Sequence, residues 1–299
     1  MAAYAESVRL GDIFERSAGF NGEDRSAAVR QLISCLLSEK VPDHLRSAAE
    51  RVREGHDARQ LLKALLTVRP PGVLPRELTP LLDNVLTGEL QERGIIEGRA
   101  LPMVTPHPAF VPPTAVTLWL GDITQLRVDV VVNAANAALL GCFRPMHPCI
   151  DNAIHTAAGP QLREDCARIM GLQGHAEPTG CAKATRAYNL PARFVVHTVG
   201  PIVQDAVTAG HARALACCYR SCLDLATELP AVKSIALCGI STGVFGYPKA
   251  PAASIAVATV SAWLQEHPNA LDLIVFNVFS DEDRAAYELA LSAPTWRQP

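Results

Sequence analysis

Five prolines (Pro102, Pro106, Pro108, Pro112 and Pro113) fall between Leu101 and Thr114. Proline fixes φ and has no N–H to donate, so neither a helix interior nor a central strand can run through this stretch. The 299-residue chain is therefore expected to divide, with residues 101–115 as a linker between segments 1–100 and 116–299. That agrees with roughly 150 residues per domain.

The two segments differ in apolar rhythm. In the first, Val29, Leu32, Ile33, Leu36 and Leu37 repeat with the period of one helix face. Asp57, Gln60, Leu61, Leu62, Leu65 and Leu66 read as a capping box opening a second amphipathic helix. Leu78, Leu81, Leu82, Val85 and Leu86 form a third series ending towards Gly94, and Arg69-Pro70-Pro71-Gly72 interrupts the helices. After the linker, apolar runs at 116–120, 128–133, 181–186, 194–199, 234–238 and 273–279 alternate with helical stretches at 150–170, 212–228, 248–266 and 282–291. Strands apolar throughout belong in a sheet covered on both faces, so an α/β sandwich follows an all-helical N-terminal extension.

Composition narrows the function. At 49% hydrophobic residues the chain can build a sizeable core, and a formal net charge of −3 provides no basic face for a nucleic-acid backbone. No apolar run approaches the roughly 18 residues of a membrane span. The start, Met1-Ala-Ala-Tyr-Ala-Glu6, lacks a secretory signal pattern. The expected setting is soluble and cytoplasmic, with no membrane partner. Nine cysteines, an odd number spread along a long chain, argue against a disulfide framework.

In open α/β sheets ligands bind beyond the carboxyl ends of strands. Two loops stand there. Gly239-Ile-Ser-Thr-Gly-Val-Phe-Gly246 brings glycines to a helix start, with Pro248 as the expected first helical residue; backbone N–H groups would favour an anion such as a diphosphate. Read alone, it is equally an ordinary strand-to-helix turn. The second loop, entered from Asn133-Ala-Ala-Asn136, carries Cys142, His147 and Cys149 within eight residues, stiffened by Pro145 and Pro148. Thiolate and imidazole are the donors zinc prefers, and three of them leave a fourth position open, as in catalytic sites. A fourth donor such as His155 or Cys181 would make the site structural, and two unrelated core cysteines are the remaining reading. Asp151 follows at a helix start, where a carboxylate serves as a cap or as a general base.

Taken together these residues resemble the macrodomain family: Leu120-Gly-Asp-Ile-Thr124, Val131-Val-Asn-Ala-Ala-Asn136, Ile154-His-Thr-Ala-Ala-Gly159, Thr179-Gly-Cys-Ala-Lys-Ala-Thr185, Val196-His-Thr-Val-Gly-Pro201 and Ser241-Thr-Gly-Val-Phe-Gly246. The resemblance implies a three-layer α/β/α fold with a mixed central sheet. Most macrodomains carry a glycine run where this chain has Gly141-Cys-Phe-Arg-Pro-Met-His-Pro-Cys149. That replacement resembles the zinc-containing macrodomains of microbial ADP-ribosylation systems. Leu61 to Pro71 and the following helix to Gly94 are similar, more loosely, to the helical extension of that subgroup.

The resemblance further implies roles. Asp122 would accept a hydrogen bond from the adenine amino group, with Ile123 beside it. Asn136 would bind the distal ribose, and Asn152 would touch a ribose. Ser241, Thr242, Gly243, Val244, Phe245 and Gly246 would wrap the diphosphate, with Phe245 against the distal ribose or packed in the core. Cys142, His147 and Cys149 would hold one zinc ion, with Asp151 and Asn136 as the catalytic pair. Asn133, His155 and His197 are expected to be structural, and Cys218 and Cys222 to be core. The implied activity is zinc-dependent removal of ADP-ribose from mono-ADP-ribosylated protein, by cleavage at the anomeric carbon of the distal ribose. It is paired in such systems with a sirtuin-like ADP-ribosyltransferase. A non-catalytic ADP-ribose reader and a hydrolase of a small ADP-ribose derivative are the alternatives.

Overall fold

A computed structural model describes residues 1–299 except 21, 53–55, 105–113 and 293–299. The proline-rich linker thus lies largely outside the described residues. On its near side Val104 N–H donates to Val116 O at 2.8 Å.

The N-terminal segment contains α1 (Ala2–Ala5), α2 (Gly22–Leu36), α3 (Asp43–Ala49), α4 (His56–Val68), α5 (Leu78–Arg93) and a two-residue strand, β1 (Ile96–Glu97). The apolar stripes do what their spacing predicts: Val29, Leu32 and Leu36 meet Leu61, Leu62, Leu65, Leu82 and Val85 in one small core. Asp57 lies inside the first turn of α4 and is not its cap. There it still faces the positive end of the helix dipole.

The second segment runs β2 (Ala115–Leu120), β3 (Leu126–Arg127), β4 (Val130–Ala135), α6 (Ile150–Ala158), α7 (Pro160–Gln173), β5 (Ala182–Arg186), β6 (Phe194–Val199), α8 (Ala209–Glu228), β7 (Ser234–Leu237), α9 (Lys249–Glu266), β8 (Leu273–Val278) and α10 (Asp281–Ser292). The main sheet has the order β2-β8-β7-β4-β6-β5. Its pairs are parallel except β5 with β6, so the sheet is mixed. β6, β7 and β8 are buried along their whole length, as continuous apolar runs between helix layers require. Cys218 and Cys222 are core, as their helical spacing predicts. No helix among the described residues is long and apolar enough to cross a membrane.

Three local expectations need correction. The helix expected over 150–170 is two helices, because Gly159 turns the chain at φ 96° and Pro160 opens α7 without an N–H to continue α6. Pro248 has ψ 135° and stands just outside α9. The N-terminal segment is not helical throughout, since β1 pairs in parallel with β3.

The two segments meet along a polar seam. Asp83 of α5, buried, accepts from Asn189 Nδ2 at 2.7 Å and from Gln161. Arg16 donates to Leu190 O at 2.7 Å. At the far edge of the sheet, Tyr4, Val8 and Leu10 join the larger core, and Tyr4 Oη accepts from Ala184 N–H at 2.9 Å. β5 is an edge strand, so this hydroxyl satisfies a buried donor that no further strand can reach.

Tyr4→Phe should therefore lower stability by about 1–3 kcal/mol, the cost of a buried donor left unpaired. Urea unfolding would measure it. A change near zero would mean that water replaces the hydroxyl.

Candidate active site

Parallel strands place their carboxyl ends at one edge of the sheet. The loops after β2, β4, β7 and β8 therefore emerge together, where an open α/β sheet binds ligands. Each brings one part of the candidate site.

Ahead of the loop after β4, Asn133 lies fully buried within the strand and opposite His197 of β6. Its Nδ2 donates to Asp151 Oδ1 at 2.8 Å and faces His197 Nδ1 at 3.1 Å. Asn136 closes the loop on itself: its Oδ1 accepts from Ala138 N–H at 3.0 Å, and its Nδ2 donates to Gly141 O at 3.0 Å and to Asp151 Oδ2 at 3.3 Å. Asp151 is thus a buried carboxylate, 5% exposed, gripped by two amides. Burial pushes its carboxyl up to about 6, against the Asn133 hydrogen bond. His155 Nε2 lies 3.5 Å from it, and burial holds that imidazole neutral.

Cys142, His147 and Cys149 converge, their donor atoms lying within 4.8 Å of one another. All three are half-buried. Cys149 caps α6, its Sγ accepting from Asn152 N–H at 3.4 Å, where the helix dipole favours a thiolate. Without a cation, burial pushes this thiol up to about 11. His147 Nδ1 is buried without a hydrogen-bond partner. Two thiols and an unpartnered ring nitrogen facing one point suit a thiophilic divalent cation. His155 is not the fourth donor; it belongs to a separate, fully buried group with Cys166 and His197. In that group His197 Nδ1 faces an amide donor and Nε2 lies 3.0 Å from Thr185 Oγ1, so its ring is committed to structure, as expected. The amide of Asn152 donates to His147 O at 3.0 Å and braces the cysteine loop.

The loop after β7 is shaped for a close approach. Ser241 has φ 66° and Gly246 φ 71°. Tyr247 N–H donates to Ser241 O, Gly246 N–H to Gly243 O, and Val203 N–H to Phe245 O. Open space surrounds a side chain added at Gly243. Val244 is exposed, Thr242 Oγ1 is bonded to Gly239 O, and Ser241 Oγ is buried without a partner.

After β2, Asp122 Oδ1 accepts from Thr124 N–H and Oγ1, and Oδ2 from Arg93 of α5 at 3.0 Å. A carboxylate has about four acceptor sites, so one remains for a ligand donor. Ile123 beside it is buried.

Two site residues escaped the sequence reading. Phe279 follows β8, whose last residue, Val278, pairs with Leu120. Phe279 is 79% exposed, a bare aromatic face beside the Asp122 turn. Arg163 of α7 is buried with its guanidinium 4.6 Å from the centroid of the Phe143 ring. Periodicity assigned Phe279 to the strand; only its position as the last residue of that run hinted otherwise. For Arg163 no local signal existed.

The profile of the Macro domain family matches residues 132–256. The chain is 49% identical over 262 residues to a protein-ADP-ribose hydrolase of Treponema medium, covering 87% of this chain and 97% of that one. It is 42% identical over 293 residues to a probable bifunctional ADP-ribose hydrolase/ADP-ribosyltransferase of Fusarium oxysporum f. sp. cubense, covering 94% of this chain and 46% of that one. Among solved structures, the Trypanosoma brucei macrodomain in complex with ADP-ribose is 28% identical, with TM-score 0.57, covering 93% of this chain and all of that one (100%).

Gly141 has φ 79°, and a Cβ there would lie 2.9 Å from the His155 ring. Gly141→Ala should cost at least about 1–2 kcal/mol from the left-handed backbone alone, read as a lower melting temperature. An unchanged melting temperature would show that the loop relaxes freely.

Proposed function

This chain belongs to the macrodomain family, and on that premise we propose that it is a zinc-dependent hydrolase removing ADP-ribose from mono-ADP-ribosylated protein. The observation that carries the reading is the buried Asp151, held by Asn133 and Asn136 two residues from the last of three converging thiol and imidazole donors. The bond broken joins the anomeric carbon of the distal ribose to the protein side chain. Its cleavage passes through an oxocarbenium-like sugar. A water oxygen bonds to that carbon, and the departing side chain takes a proton.

The chain's own residues divide this work. Ser241, Thr242, Gly243, Val244 and Phe245 receive the diphosphate on backbone N–H groups, while Gly246, its own N–H bonded to Gly243 O, closes the turn around it. Binding energy there, remote from the reacting bond, holds the sugar in place. Asn136 and Asn152 stand at the ribose end. Asp151 orients the attacking water and accepts its proton, while the two amides keep its carboxylate aimed. Cys142, His147 and Cys149 would hold the zinc, which when bound supplies Lewis-acid polarisation of an oxygen. At the other end, the free acceptor site of Asp122 takes the adenine amino group and Phe279 offers its ring to the base. Residues 1–100 form the helical extension of this enzyme class, 101–115 the linker and 116–299 the macrodomain. The likeness to a longer bifunctional protein supports a working pair with an ADP-ribosyltransferase, of sirtuin type by the family resemblance. The cytoplasm is the proposed setting.

Release of ADP-ribose from a mono-ADP-ribosylated protein tests this. Chelated enzyme and Cys142→Ala should lose turnover. Asp151→Asn should lose about 10²–10⁴-fold in kcat, with ADP-ribose binding by calorimetry kept within a few-fold. Full turnover by metal-free enzyme would remove zinc; tight binding without release would make the protein a reader; preference for a small ADP-ribose ester would move the substrate class. Phe279→Ala should weaken ADP-ribose binding about tenfold, the worth of one base–aromatic stack, and unchanged affinity would place the base elsewhere.

A further inference from the structure

The thiol loop has a weak point at its first ligand. Neither Cys142 nor Phe143 donates a backbone-to-backbone hydrogen bond from its N–H among the described residues. The Cys142 thiol is held loosely, by a 4.0 Å contact to Arg144 O and by the neighbouring Cys149 thiol, and Phe143 is 41% exposed. Something other than backbone pairing or core packing must hold this stretch where Cys142 meets His147 and Cys149.

Arg163 reaches it from the opposite side. Its Nη1 donates to Leu66 O at 3.1 Å and to Arg69 O at 2.5 Å. α4 ends at Val68, so these carbonyls belong to the helix's C-terminal end, where acceptors go unpaired and a cation is favoured. Arg69 is itself tied to Glu39 at 2.8 Å and to Gly72 O at 2.6 Å, which makes that end of the helical segment firm. The Arg163 guanidinium makes no ion pair among the described residues, and its Nε is buried without a partner. A buried charge is costly unless compensated. Here the compensation comes from two helix-end carbonyls on one side, the Phe143 ring on the other and, beyond ion-pair distance, the negative charge of Asp151.

We infer that Arg163 is a positioning residue that couples the C-terminal end of α4 to Phe143 and so holds Cys142 within reach of the other two donors. The helical segment would then be part of the metal centre's scaffold, although it supplies no ligand. The inference rests on the metal reading above, and one of its two readouts is independent of metal.

The first readout is zinc affinity, by competition of zinc alone with a chromogenic chelator. The second is the rate at which iodoacetamide alkylates Cys142 in the metal-free protein, located by peptide mass, with exposed Cys181 as the reference. Arg163→Met should weaken zinc binding about tenfold, the usual cost of removing a group that orients a ligand. It should speed Cys142 alkylation about as much, by opening the loop locally, and leave Cys181 unchanged. Arg163→Lys should recover part of both, and Phe143→Leu, a change at the surface, should move both in the Met direction. Asp83→Asn loosens the same seam away from the loop, and should lower the melting temperature without moving either readout. Wild-type values in Arg163→Met and Phe143→Leu would overturn the inference, as would Asp83→Asn matching Arg163→Met. Should the wild-type protein bind no zinc, the metal reading falls and the alkylation rates still decide the role of Arg163.

Discussion

Asn133 has an amide with two hydrogens and is fully buried, so both need partners inside the protein. One goes to Asp151 and the other faces His197. Because an ionised carboxylate only accepts, the amide must present its nitrogen to Asp151. His197 Nδ1 then has to accept, which leaves the ring proton on Nε2 for Thr185 Oγ1. Burial agrees, pulling the His197 ring down to about 3. One buried asparagine thus sets an imidazole's tautomer, an aspartate's direction and the entry of the α6 helix. The start of the thiol loop hangs from that aspartate as well, since Asn136 bonds both Gly141 O and the same carboxylate.

The second constraint is the seam between the helical segment and the sheet domain. Its apolar part is confined to Tyr4, Val8, Leu10 and their neighbours in the larger core; along α4 and α5 its specific contacts are polar. Asp83, Arg163 and Arg93 all make specific bonds across it. Buried polar groups cost little when satisfied and much when one partner is lost. Such a seam therefore tolerates one arrangement of the segments and penalises others. Arg93 shows the consequence for the site: it occupies one acceptor position of Asp122, so the helical segment limits what that carboxylate can still bind.

Much of the architecture was legible in advance because it depends on short-range pattern. The alternation of apolar runs and helical stretches yielded six main-sheet strands near their observed places, and the stripes on α2, α4 and α5 yielded the small core. The misplacements are local and have local causes. Gly159-Pro160 splits a helix that periodicity alone would continue. The first ten residues hold Tyr4, Val8 and Leu10, whose place is in the distant larger core, and no window of sequence around them says so.

Of the candidate site, what the sequence by itself determined was the set of donors. Cys142, His147, Cys149, Asp151, Asn133 and Asn136 lie within nineteen consecutive residues, so chain connectivity alone keeps them close and their chemistry can be read from spacing. Tertiary structure alone decided what comes from far away. Phe279 reaches the Asp122 turn because two parallel strands are hydrogen-bonded neighbours, and Arg163 meets Phe143 because its side chain spans from α7 to the carbonyls at the end of α4. Those contacts depend on how separate elements stack, a long-range property set by the whole core, and no local pattern encodes it.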